Sequence, residues 1–166
     1  MPCGHSARSK STVTPETLVL PYAPASAAVA RAAVQNALMR RGVVARRSED
    51  AALVVSELVG NSLLHARARP DGTLLVSWRL TPEEIVVEVT DGGSGEPVMQ
   101  EAGPESAAGR GLVVIDALAR RWGTRYDAAG TTVWAALRMP AGMRRDGASA
   151  AARVRARDEV DRPQHG

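Results

Sequence analysis

Glu57, Asn61 and His65 stand four residues apart in the run Glu57-Leu-Val-Gly-Asn61-Ser-Leu-Leu-His65-Ala66. On a helix that spacing sets them along one stripe. From Glu49 to Ala66 the other residues are apolar almost all round (Ala51, Ala52, Leu53, Val54, Val55, Leu58, Val59, Leu63, Leu64), so the helix should be packed on most of its circumference. A carboxylate buried there costs several kcal/mol unless it meets a cation, water or a donor. A carboxylate and an amide one turn apart can activate a hydroxyl or a water and place a carbonyl oxygen on Mg2+. A buried Glu-Asn pair that only satisfies itself accounts for the same two residues.

A second acid sits in Ile85-Val-Val87-Glu-Val89-Thr-Asp91, whose alternation reads as a strand. Asp91 shares the parity of Ile85, Val87 and Val89, which puts a carboxylate on the covered face at the strand's end. Gly92, Gly93 and Gly95 follow and leave bare backbone, which a flat ring can approach closely. A carboxylate so placed accepts a proton from an amino group such as adenine's. Asp-Gly is equally a turn signal.

Met99 to Ala108 has no periodicity and reads as a loop able to serve as a lid. Gly109-Arg110-Gly111 then runs into a short helix with Leu112, Ile115, Leu118 and Ala119 on one face. Glycines opening a helix present free N–H groups and the positive end of the dipole, a phosphate site to which Arg110 can add charge; a solvated loop arginine is the alternative. In the last strand Thr131 shares a face with Val133, Ala135, Leu137 and Met139, so its hydroxyl either lies beside Asp91 or belongs to an ordinary β-branched strand residue.

In order and spacing these three elements resemble the N, G1 and G2 boxes of the GHKL (Bergerat) ATPase fold, shared by histidine kinases, MutL and type II topoisomerases. The small size and box spacing are similar to the bacterial anti-sigma factor serine/threonine kinase branch, over roughly residues 16–140. The resemblance implies Glu57 as general base, Asn61 as Mg2+ ligand and Asp91 as the residue that reads adenine. It implies Gly93 and Gly95 as close-approach glycines, Gly109, Arg110, Gly111 and Leu112 as the phosphate loop, with Arg110 also aiding catalysis, and Thr131 on the adenine side. His65 matches a histidine often found after the N box. Arg31, 26 residues before Glu57, matches an arginine that contacts sigma factor and antagonist in that branch; a solvated arginine on an Ala-rich helix is the alternative.

The 166 residues suffice for one core without disulfide or metal. With one cysteine, Cys3, neither an internal disulfide nor a structural zinc is expected. No membrane-spanning run or signal peptide is legible, so a cytoplasmic location is expected. The formal charge is +3, but residues 1–15 carry +2 and residues 141–166 another +2, which leaves the body at −1. With only five aromatics besides, no nucleic-acid face is expected.

These elements must be positioned by a fold. A strand at Thr17–Leu20, a helix from Ala27 to Arg41 capped by Ser26 and closed by Gly42, and an N-box helix capped by Ser48 come first. Two hairpins follow, Leu74–Leu80 with the Ile85 strand and Trp122–Tyr126 with Thr131–Met139. Helices early and hairpins late predict an α/β (α+β) two-layer sandwich, helices on one face of a mixed, largely antiparallel sheet. The expected organisation is a disordered leader over 1–15, an ATP-binding kinase domain over 16–140 and a disordered Arg/Ala-rich tail over 141–166.

The leading functional reading, implied by the resemblance, is an ATP- and Mg2+-dependent protein serine/threonine kinase acting as an anti-sigma factor. It would sequester a sigma factor, phosphorylate an anti-anti-sigma (STAS-type) partner and form a homodimer. The alternative is an ATP-gated anti-sigma or adaptor module with weak or no phosphotransfer. A two-component histidine kinase is disfavoured because no helical hairpin bearing a phospho-acceptor histidine precedes the pocket.

Overall fold

The computed structural model describes residues 14–93 and 107–139, with the backbone alone described for 107–110. Gly95, the Met99–Gln100 and Glu101–Ser106 part of the expected lid, Cys3 and the C-terminal tail lie outside the described residues, as does all but the end of the leader.

Among the described residues eight elements follow in order: β1 (Glu16–Pro21), α1 (Ala25–Arg40), α2 (Ala45–His65), β2 (Thr73–Leu80), β3 (Glu84–Asp91), α3 (Ala107–Leu118), β4 (Arg121–Asp127) and β5 (Gly130–Arg138). The sheet order is β1-β2-β3-β5-β4. Every pairing is antiparallel, so the parallel contact that a mixed sheet allows is absent among the described strands.

The alternation in β2 translates directly into packing. Leu74, Val76, Trp78 and Leu80 all point into the core and are buried, as strand geometry requires of residues two apart. They meet Ile85, Val87 and Val89 of β3, Ala135 and Leu137 of β5, Val34 and Leu38 of α1, and Val55, Leu58 and Val59 of α2 in one apolar cluster. Each fully buried Leu, Ile or Val stabilises the fold by roughly 1.5–3 kcal/mol. That cluster holds α2 against the sheet beside the end of β3. Leu64, expected to pack, is instead exposed in the last turn of α2, while its neighbours Ser62 and Leu63 take the inward side.

The opposite face of the sheet carries charged side chains around the buried Val86 and Ala136. Arg79 and Arg125 reach Glu88 at 3.2 and 3.7 Å, and Arg121 reaches Glu84 at 2.7 Å. The Arg121 guanidinium lies 5.7 Å from the centroid of the Trp134 ring. Beyond Glu88 on the same face Thr90 and Thr132 pair their buried hydroxyls at 2.7 Å.

Two expected helix caps differ from the observed ones. Ser26 lies inside α1 and donates to the Pro21 carbonyl at 2.6 Å, while Pro24 takes the cap position with no side-chain bond; its ring-fixed φ suits a helix start. Ser48 is buried in the first turn of α2, its hydroxyl turned back to the Val44 carbonyl at 3.3 Å. The good helix formers Ala45, Arg46 and Arg47 extend α2 upstream of it. Gly42 does close α1: at φ 79° it donates to Met39 while Val43 donates to Leu38, the paired bonds of a Schellman ending. Among the described residues no helix is long and apolar enough to cross a membrane.

Candidate functional site

The stripe on α2 is brought against the start of α3. A Cβ added at Gly111 would lie 2.9 Å from Glu57 Oε2 and 3.2 Å from Asn61 Oδ1, so the buried Gly111 marks where two helices meet and where two oxygens converge. Glu57 and Asn61 are half-buried. His65, one turn on, is exposed at the end of α2 and is not brought to this point by any described contact.

α3 begins at Ala107, two residues ahead of Gly109, so Gly109 and Arg110 fall in its first turn and Gly111 in its second. The unpaired N–H groups of that turn therefore belong to residues 107–110, and the positive dipole end lies on the side of α3 nearest Glu57 and Asn61. The Arg110 side chain lies outside the described residues. Leu112, expected in the same loop, packs partly buried against the apolar core.

The second part of the site is built at the end of β3. Asp91 is 2% exposed and pairs in register with Thr131 of β5. One carboxylate oxygen accepts the Ser62 hydroxyl at 2.9 Å and the other accepts the Gly93 N–H at 3.0 Å. Thr131 donates its own hydroxyl to the Gly93 carbonyl at 2.8 Å. A Cβ at Gly93 would stand 3.0 Å from both Asp91 Oδ1 and Thr131 Oγ1, so the bare backbone leaves open a cradle that any side chain would fill. The turn after Asp91 is tied down by the Gly92 N–H, which donates to Arg67 at 2.8 Å.

Burial pushes the Asp91 carboxyl above the usual carboxylate range, and the Gly93 and Ser62 donors pull it partly back. Tyr22, in the corner between β1 and α1, donates its hydroxyl to the Ser62 carbonyl. That carbonyl also accepts Ala66 N–H at 2.9 Å, closing the last turn of α2. Burial and then the Asp91 carboxylate push the Tyr22 phenol up, so it stays neutral and keeps its proton.

Ser62 and Tyr22 are not legible as site residues in the sequence. Ser62 follows Asn61 directly, and neighbours on a helix do not share a stripe; Tyr22 lies 40 residues from the carbonyl it binds. The one signal was a small hydroxyl within the apolar run of α2.

Chemically the two parts differ. Two hard oxygens beside a helix N-terminus suit a hydrated divalent cation and phosphate. A buried acceptor beside bare backbone suits a flat ring bearing an amino group. The model of the histidine kinase-like ATPase domain matches residues 20–137. The chain belongs to that family.

Within this ATPase family the chain is 30% identical over 115 residues to the serine-protein kinase RsbW of Listeria innocua, covering 61% of this chain and 73% of the relative. It stands at the same identity and coverage to the protein of that name from Listeria monocytogenes. Among solved structures it is similar to the RsbU and RsbW domains of a Mycobacterium tuberculosis protein, with a TM-score of 0.57, 23% identity and 77% of this chain covered. The chain spans about a third of that protein, 34% of its length, and the likeness establishes the shared fold. A domain of this ATPase family uses ATP.

The close approach at Gly111 carries a prediction. Gly111→Ala is expected to force Glu57 and Asn61 away from α3 and lower Mg-ADP affinity about tenfold, or ~1.4 kcal/mol. Isothermal calorimetry reads the affinity, and unchanged circular dichroism separates this local effect from unfolding.

Proposed function

We propose that the protein is an ATP- and Mg2+-dependent serine/threonine kinase that acts as an anti-sigma factor. The observation that carries this reading is the convergence of Glu57 and Asn61 on Gly111 at the start of α3. Kinship to serine-protein kinases supports it.

In this reading Glu57 accepts the proton of the acceptor hydroxyl as that oxygen attacks the γ-phosphorus, and the bond from that phosphorus to the β–γ bridging oxygen breaks to release ADP. Asn61 Oδ1 would hold Mg2+ together with phosphate oxygens; the ion, when bound, neutralises phosphate charge. Free N–H groups at the start of α3, with Gly109, Arg110 and Gly111, orient the phosphates and stabilise transferring charge. Asp91 accepts the adenine amino group, Gly93 and Gly95 admit the ring, Thr131 closes the pocket by fixing the Gly93 peptide, and Leu112 anchors the phosphate loop to the core.

The acceptor is an anti-anti-sigma protein of the STAS type, the sequestered partner is a sigma factor, and the working form is a cytoplasmic homodimer. Incubating the protein with γ-labelled ATP, Mg2+ and candidate STAS-type partners tests the reading: label on a serine or threonine of one partner is the expected result. Sigma-factor binding without transfer to any acceptor would leave the ATP-gated binding module instead.

Arg31 is exposed on α1, available to a partner. A guanidinium makes paired hydrogen bonds to carboxylates that lysine cannot copy. Arg31→Ala is expected to weaken partner binding by about 2–4 kcal/mol while leaving ADP affinity unchanged. Calorimetric titration of sigma factor and antagonist checks this; full-strength binding of both would place the docking site elsewhere, with Arg40, Arg41, Arg46 and Arg47 the next candidates.

A further inference from the structure

Among the described residues Asp91 is faced by four groups: Ser62 from α2, the Gly93 amide in its own turn, Thr131 from β5 and Tyr22 from the β1–α1 corner. None of the four is charged at neutral pH. Two hydroxyls in this set have already committed their protons, Ser62 to Asp91 Oδ2 and Thr131 to the Gly93 carbonyl. What both then offer to a base is lone pairs. Asp91, when ionised, also only accepts. Among the described residues the base end of the pocket is therefore built almost wholly of acceptors.

We propose that Ser62, anchored by Tyr22, is a specificity-determining residue that holds Asp91 as a pure acceptor and so makes the pocket choose 6-aminopurines over 6-oxopurines. The inference rests on the reading of Asp91 as the group that meets the base. A 6-amino group brings a proton to these acceptors. A 6-oxo group brings lone pairs to the place where the amino group donates, so the ring must shift to bring its N1–H to Asp91 or leave buried polar groups unpaired, which a binding site rejects.

The discrimination holds only while Asp91 keeps its charge, because a protonated carboxyl can turn and donate to a 6-oxo group. Burial already favours that protonated form, and the Ser62 hydroxyl opposes it. The Tyr22 bond fixes the Ser62 peptide and with it the turn from which the hydroxyl points. Removing the Ser62 donor makes protonation easier, so the pH at which ADP affinity begins to fall moves upward. The sign follows from linkage: the amino group binds the ionised carboxylate, so affinity is full above the Asp91 pKa of the free protein and is lost as pH falls through it.

The test is calorimetry of Mg-ADP and Mg-IDP from pH 5 to 8 on the full chain and on Ser62→Ala, Ser62→Thr and Tyr22→Phe. The parent should favour ADP. Ser62→Ala should lower the ADP-to-IDP ratio about tenfold and raise the pH midpoint of ADP binding. Ser62→Thr, which keeps the hydroxyl, should restore both, and Tyr22→Phe should move both part of the way. A merely structural role for Ser62 would weaken both nucleotides alike and leave the midpoint in place. If the parent prefers ADP while Ser62→Ala keeps the parent's ratio and midpoint, the inference is overturned. If the parent itself binds ADP and IDP equally, the assignment of Asp91 to the base fails first and takes the inference with it.

Discussion

Glu57→Gln is expected to retain Mg-ADP while losing phosphotransfer by about a hundredfold or more, the usual cost of removing a general base. The substitution keeps the side-chain shape beside Gly111 and removes the proposed proton acceptor. It leaves Asn61 Oδ1, the groups at the start of α3 and the whole Asp91 pocket in place, which is why affinity and chemistry should separate. Calorimetry of ADP and a timed assay with γ-labelled ATP and a STAS-type acceptor read the two quantities side by side. Parent-like transfer by Glu57→Gln would place the base elsewhere. A parallel loss of affinity would mean that Glu57 binds phosphate or metal rather than working on the acceptor hydroxyl.

Gly130→Ala should produce the largest loss of stability. Gly130 opens β5 at φ 130°, a conformation that side-chain-bearing residues rarely adopt, and a Cβ there would stand 1.9 Å from the Asp91 carbonyl oxygen. The obstacle is backbone, so no rotamer change relieves it. Either the β4–β5 turn shifts or the end of β3 does, and the second outcome also displaces the Asp91 carboxylate. The expected cost is about 3 kcal/mol, which in a domain of this size lowers Tm by roughly 10–20 °C. Thermal unfolding followed by circular dichroism measures it, and ADP added in excess should recover part of the loss if the variant still binds nucleotide. A Tm within 2 °C of the parent would show that the turn yields freely.

The elements of the fold were legible because each carried its own period. Leu74, Val76, Trp78 and Leu80 alternate, and the strand they predict is the one observed. The position of Asp91 was legible for the same reason, since parity alone sends its side chain to the covered face. Glu57 and Asn61 could be set on one stripe from their spacing, and the three glycine-bearing boxes carried the ATPase family and its fold. Helix starts were less legible. Ser26 and Ser48 have the chemistry of caps, but capping competes with whatever else a hydroxyl can reach, and both found carbonyls of the preceding segment instead.

What only the tertiary structure decided is which partners meet across the layers. That Gly111 abuts Glu57 and Asn61 while His65, one turn on, stays exposed depends on where α3 crosses α2. The Tyr22–Ser62–Asp91 chain joins the first strand's end, the second helix and the third strand over separations of 40 and 29 residues. Sequence periodicity reports which face of an element is buried, because that is a property of one element's geometry. It carries no information on what that face will touch, because contact is set by the packing of the whole core.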